Sequence, residues 1–238
     1  MSNRWLLIVV SILISALVVG CAGRHVKRIQ RAPIDTIPED AELEAKIEML
    51  EEMAATYPED GYVYYEIGNL YYQELMPGEA IANYERALEV DPGLNKARVN
   101  MAMVLAESDA ADSAKALLTE AIRIDPDDGK AYNNLGMIYY TELDVNTAVK
   151  YFKKALELDA ESLEARYNLG LAFAEKGLLL ESIREWRRIL EIGEETGEDN
   201  ETVERARFSL ERAERELRRS AAPEQDGRRR TTEGPQPD

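Results

Sequence analysis

The chain has 238 residues and a formal charge of −17, with 46 carboxylates against 29 lysines and arginines. Such a surface repels nucleic acid, whose binding needs clustered cations to displace counterions, so no nucleic-acid partner is expected. A single cysteine rules out an internal disulfide, and a single histidine, His25, leaves no Ser-His-Asp or Cys-His arrangement within local reach.

At the N-terminus, Arg4 precedes a mostly apolar run, Trp5 to Gly20, that ends in Val18-Val19-Gly20-Cys21. A charged start, an apolar core and a small residue before the cut make residues 1–20 a secretory signal. The last four residues resemble the lipobox of bacterial lipoproteins, although that family more often has leucine where Val18 stands. The resemblance implies cleavage before Cys21 and acylation of its thiol and new amine. With Ala22 rather than aspartate following, it also implies a periplasm-facing anchor in the outer membrane. Acyl chains contribute about 0.8 kcal/mol per buried methylene, enough in combination for a stable anchor. The alternative is an uncleaved helix: Trp5 to Gly23 is long enough to cross a bilayer. Arg24, Lys27, Arg28 and Arg31 behind it would then hold the rest of the chain in the cytoplasm.

Residues 21–35 form a polar tether, which as a flexible coil spans about 20 to 25 Å. Residues 36–58 read as an N-terminal capping helix. Thr36 and Glu39 have the spacing of a capping box, Pro38 falls in the first turn, and Leu43, Ile47, Leu50 and Ala54 share one face.

From Gly61 a pattern of 34 residues recurs four times without a gap, over residues 61–94, 95–128, 129–162 and 163–196. Position 8 is small (Gly68, Ala102, Gly136, Gly170), as are position 20 (Ala80, Ala114, Ala148, Ser182) and, up to Ile189, position 27 (Ala87, Ala121, Ala155). Large apolar residues hold positions 7, 11 and 24, the last as Tyr84, Leu118, Phe152 and Trp186. Small residues let two antiparallel helices approach, and the bulky ones fill the space between successive pairs. Pro92 and Pro126 at position 32 are expected to stop the second helix. One such pair cannot bury its own apolar face, so the pairs must stack into a solenoid.

Residues 199–219 read as a C-terminal capping helix, with Val203, Ala206, Leu210, Ala213 and Leu217 on one face. Glu201 with Arg205, Glu211 with Arg215 and Glu214 with Arg218 are spaced to pair across one turn. The alternative is a dimerising seam, so the oligomeric state stays open. Residues 220–238, rich in Pro, Gly and charge and including Arg228 to Arg230, lack the apolar side chains to order themselves.

Period and signature together resemble the tetratricopeptide repeat (TPR) family. The resemblance implies an all-α solenoid whose first helices line a concave face, with positions 2, 5, 6, 9, 12 and 13 pointing into it. Those positions carry Tyr62, Tyr65, Asn69 and Tyr72; Lys96, Asn100 and Met103; Lys130, Asn133, Asn134, Met137 and Tyr140; and Tyr167, Asn168 and Leu171. Asparagine amides can pair with both the N–H and C=O of an extended peptide, and Asn100, Asn134 and Asn168 recur at the repeat interval. The same residues are also frequent in the family consensus. Asn69, Asn100 and Lys130 match three places of the carboxylate clamp found in some members, while Tyr65 and Asn134 break the other two.

No Gly-rich phosphate loop, Cys and His metal motif or EF-hand loop occurs, so neither catalysis nor a cofactor or metal is expected. The combined reading is a membrane-anchored TPR lipoprotein that binds a protein or peptide partner in its groove and acts as a scaffold or assembly adaptor in the bacterial envelope. The runners-up are a cytoplasm-facing anchored protein in signalling or chaperone recruitment, and a self-associating scaffold.

Overall fold

The computed structural model describes residues 31–197 and 199–221. The signal segment, Cys21 and most of the tether, and the tail from residue 222 onward, lie outside these residues. Within them the chain is all-α, with a short 3-10 turn at Ile34–Thr36 and ten α-helices. The first is α1 (Leu43–Thr56). Four antiparallel pairs follow: α2 (Gly61–Gln73) with α3 (Pro77–Val90), α4 (Asn95–Glu107) with α5 (Ala111–Ile124), α6 (Gly129–Thr141) with α7 (Val145–Leu158), and α8 (Leu163–Glu175) with α9 (Leu179–Thr196). α10 (Glu201–Ala221) closes the array and takes in Ser220 and Ala221. Each helix packs on its neighbours in the chain, giving the solenoid that the repeat requires. No helix among the described residues is long and apolar enough to cross a membrane.

Size complementarity sets the spacing inside each pair. The small residues at positions 20 and 27 are fully buried, Ala80, Ala114, Ala148, Ala87 and Ala121 among them. Position 8 faces position 24 of the same repeat. A Cβ on Gly68, Gly136 or Gly170 would lie 2.7 Å from Tyr84, 2.7 Å from Phe152 and 2.4 Å from Trp186 respectively. In the second repeat the glycine is Ala102, and the facing residue shrinks to Leu118 to match.

The turns between pairs are built by aspartate more than by proline. Asp91, Asp125 and Asp159 at position 31 each accept a hydrogen bond from the backbone N–H two residues on, at 2.9, 3.1 and 3.1 Å. This Asx turn halts the helix even in the third repeat, where Ala160 replaces proline. The fourth repeat has Gly193 at that position and no such turn. α9 therefore runs for 18 residues rather than 14, until Gly197 ends it in the left-handed conformation at φ 75°.

The N-terminal end differs from the helix expected over 36–58. α1 starts only at Leu43, and Thr36 donates to the Pro33 carbonyl at 2.7 Å instead of capping a helix. Tertiary packing overrides the local signal. Ile34 and Ile37 lie against the cluster of Leu50, Ala54, Val63 and Ile67, and the Ala32 N–H donates to Asp60 at 2.8 Å. The chain is thus fixed to the body from Ala32 onward, and the stretch expected as tether over 21–35 is shorter on that side.

At the other end α10 lays Val203, Ala206, Leu210 and Ala213 over Tyr167, Ile183, Trp186 and Ile189. Its small Ala206 and Ala213 leave room for Ile189, the one bulky residue at position 27. Of the expected intrahelical pairs, Arg218 reaches Glu214 at 3.7 Å. Arg215 donates instead to the Glu211 carbonyl, and Arg205 lies over the Tyr167 ring at 4.5 Å.

Candidate functional site

The first helices of successive pairs (α2, α4, α6, α8) approach one another along one face of the solenoid, joined by side-chain hydrogen bonds. This face carries the residues expected to line the groove. Asp60 and Asp128 cap α2 and α6 by accepting from Tyr62 and Ala131 N–H at 3.1 Å each, and Ser162 caps α8 from Ala165 N–H at 3.3 Å. These caps fix where each first helix starts and hence which side chains face the groove.

At the N-terminal end the rings of Tyr62 and Tyr65 lie 5.3 Å apart at 37°, and Tyr65 is 6.2 Å from the fully buried Tyr84. Asn69 ties this corner together. Its Oδ1 accepts from the Tyr84 hydroxyl at 2.9 Å and from Asn100 Nδ2 at 2.8 Å, while its Nδ2 donates to Glu66 at 3.2 Å. Tyr72 crosses to the next repeat and donates to Glu107 at 2.8 Å. A hydrogen bond to Glu66, then burial, pushes the Tyr62 phenol up to about 12. Burial, then Glu107, does the same for Tyr72. Burial drives Tyr84 upward as well.

Further along, Asn168 Nδ2 donates to Asn133 Oδ1 at 3.0 Å, and Asn133 lies within 3.4 Å of Asn134 Oδ1. Of the recurring asparagines, Asn100 and Asn168 therefore bridge neighbouring first helices, while Asn134 accepts from Asn133 of its own helix. Asn133 is 7% exposed, so its amide serves this bridge. Tyr140, Met103 and Met137 are half-buried on the groove wall, and Lys96 and Lys130 are exposed at its lip. Among the described residues neither lysine forms an ion pair. Asn69 and Asn100, two of the three matches to a carboxylate clamp, are bonded to each other.

Besides the burial of Asn133, α10 takes Tyr167 from the open surface and packs on one side of the half-buried Leu171. Tyr167 is 7% exposed because α10 covers it, with Arg205 over its ring and Ser209 Oγ 3.3 Å from its hydroxyl. Leu171 packs at the edge of the same cluster. The expected groove residues that stay open thus lie on α2, α4 and α6, followed by Asn168 on α8. Reading the sequence missed Glu66 and Glu107. They stand at positions 6 and 13, so the positional rule that found the tyrosines also points to them.

One further cleft, of 610 Å³, is lined by Arg166, Leu180, Ile183, Arg184, Glu185, Arg187, Arg188 and Glu191. Arg166 pairs with Glu185, Arg187 with Glu214 and Arg188 with Glu191, so most of its cations are already matched. Among the described residues no group of three or more His, Cys, Asp or Glu side chains is placed to hold a metal ion.

Two tetratricopeptide-repeat family profiles match, one over residues 76–136 and one over residues 129–162. No curated protein is similar enough to match. Among solved structures the chain is similar to MamA (21% identity, 65% of this chain and 91% of that one, TM-score 0.55). It is similarly related to residues 41 to the end of MamA from Desulfovibrio magneticus RS-1 (21%, 66% and 88%, TM-score 0.55). YrrB, a TPR protein with an unusual peptide-binding site, is also similar (22%, 70% and 84%, TM-score 0.51). At these identities the likeness is one of fold.

Proposed function

We propose that this chain, which belongs to the tetratricopeptide-repeat family, is a lipid-anchored scaffold that holds a peptide or helix of a protein partner in the groove between α2 and α6. It would act as an adaptor in assembling bacterial envelope machinery. The observation that carries the reading is the groove wall itself. Half-buried tyrosines are held by Glu66, Glu107 and the Asn100 amide, and half-buried methionines and exposed lysines without an ion pair among the described residues share their face. Aromatic side chains held in this way offer large contact area at small entropic cost. No chemistry of its own is assigned to the protein. The anchor is argued from Arg4, the apolar run and the lipobox-like ending at Cys21, which all fall outside the described residues.

Two measurements test the two parts separately. A photo-crosslinking residue at Lys96 or Lys130 is expected to capture a common protein partner in cells, and one at Glu85, exposed on α3 away from the groove, is not. Equal capture from Glu85 would refute the groove. For the anchor, the intact mass of membrane-extracted protein is compared with Cys21→Ser. Loss of residues 1–20 with gain of acyl chains, both absent in the variant, is the expected result. An unprocessed wild type would place the repeats in the cytoplasm.

A further inference from the structure

We infer that the N-terminal end of the groove, where Tyr62, Tyr65 and Glu66 meet, seats a lysine or arginine side chain of the bound peptide, an inference that rests on the groove being the binding face. The first observation is how the carboxylates are matched. Some carboxylates elsewhere on the solenoid face cations, as Glu89 does Arg86 and Glu185 does Arg166, and many exposed ones among the described residues do not. What sets Glu66 apart is its place, half-buried beside two tyrosine rings on the face of the first helices. Its partners are the neutral Tyr62 hydroxyl and Asn69 amide, and no lysine or arginine among the described residues pairs with it. Lys96, the groove cation of the next repeat, is not bonded to it.

The second observation is the aromatic pair. Tyr62 and Tyr65 stand 5.3 Å apart and tilted by 37°, both half-buried, leaving ring surface beside the unmatched carboxylate. The other charges acting on the Tyr62 phenol are negative too, with Asp35 on the N-terminal segment adding to Glu66. Two tyrosine faces and a carboxylate without a cation are the complement of an ammonium or guanidinium group on an aliphatic stem. A carboxylate or phosphate would meet repulsion here, so an acidic peptide is disfavoured at this end. Glu107, held by the Tyr72 hydroxyl, extends the negative potential into the next repeat.

The test pans the full chain against a displayed library of random linear peptides and remakes the selected peptides with norleucine in place of lysine. Selected peptides are expected to share a lysine or arginine. Glu66→Gln should weaken them about tenfold, and Tyr62→Leu by a similar factor. The norleucine versions should lose affinity on wild type and be indifferent to Glu66→Gln. Both variants are checked for an unchanged helical circular dichroism spectrum. Peptides that compete with crosslinking from Lys96 and Lys130 but lack a shared basic residue, or ignore Glu66→Gln, would overturn this inference and leave the groove standing. If folded wild type retains no peptide at all, the groove reading falls and this one falls with it.

Discussion

Leu75, Asp109, Leu143 and Gly177 occupy position 15 of the four repeats, and all four backbones are left-handed, with φ of 57, 60, 65 and 72°. The turn demands it. In every repeat the next N–H reaches back to a carbonyl five residues earlier, as from Met76 to Tyr71 and from Leu178 to Phe173, in the Schellman arrangement that ends the first helix. Only Gly177 takes this conformation freely. Leu75 and Leu143 are 86% and 79% exposed, so little packing offsets the strain. A left-handed leucine costs roughly 1 to 2 kcal/mol, and glycine's extra freedom in the unfolded chain returns part of that. Leu75→Gly and Leu143→Gly should therefore each stabilise the fold, by about 0.5 to 1 kcal/mol, read as a rise in Tm or in the urea midpoint. The tyrosines make a second prediction. Tyr62, Tyr72 and Tyr84 all have phenol pKa values raised above the ordinary 10. A raised folded-state value favours the protonated form, so its stability is fully present below about pH 10 and is lost as pH climbs through the folded value. Urea midpoints should hold up to pH 10 and fall between 10 and 12. Tyr84→Phe should flatten that fall, and a slope unchanged in the variant would show that Tyr84 does not contribute.

At the scale of the helix pair, the contact between positions 8 and 24 decides the interhelical distance. Gly136→Ala places a methyl 2.7 Å from the Phe152 ring, and overpacking of this kind costs about 1 to 3 kcal/mol. Adding Phe152→Leu recreates the alanine and leucine pair of the second repeat, so the double variant should recover part of the loss. Thermal unfolding of both singles and the double measures the coupling, and simple additivity would contradict the pairing. The sizes at these two positions vary together along the sequence, but reading the sequence set position 24 between successive pairs, and the structure adds its contact with position 8 of the same repeat. The helix stops were half legible. Proline marks two of them, but Asp159 shows that the aspartate before it is enough. The start of α1 was not legible, since Thr36 and Glu39 form a local capping pattern while Ile34 and Ile37 are drawn into contacts with residues far along the chain. The groove was legible as a set of positions and illegible as a set of bonds. Whether Asn100 faces a ligand or Asn69 depends on how two repeats sit side by side, and the covering of Tyr167 depends on where α10 docks.

For the whole molecule, the two edges of the solenoid differ in where the chain enters. Ala32 is bonded to Asp60, and Asp60 lies at the same end of its helix pair as the turns holding Asp91, Asp125, Asp127, Asp128, Asp159 and Glu161. The opposite edge carries the turns with Leu75 and Leu143. On the proposed anchor at Cys21, the acidic edge is the one near the membrane. Helices of 13 or 14 residues set the far edge roughly 20 Å beyond the near one. On that anchor the groove would open sideways, parallel to the bilayer. If Arg24, Lys27 and Arg28 meet anionic head groups, the carboxylates of the near edge oppose them, so the standoff should depend on lipid charge and salt. Energy transfer to a lipid dye, in vesicles carrying the acylated protein, should be stronger from a label at Asp127 than from one at Leu143. Raising the anionic lipid fraction at low salt should change the Asp127 signal more, and salt should erase the difference. Equal transfer from both labels would mean that the solenoid lies flat, with the entry edge no nearer the membrane than the other. Loss of both signals in Cys21→Ser ties the geometry to the acylated cysteine.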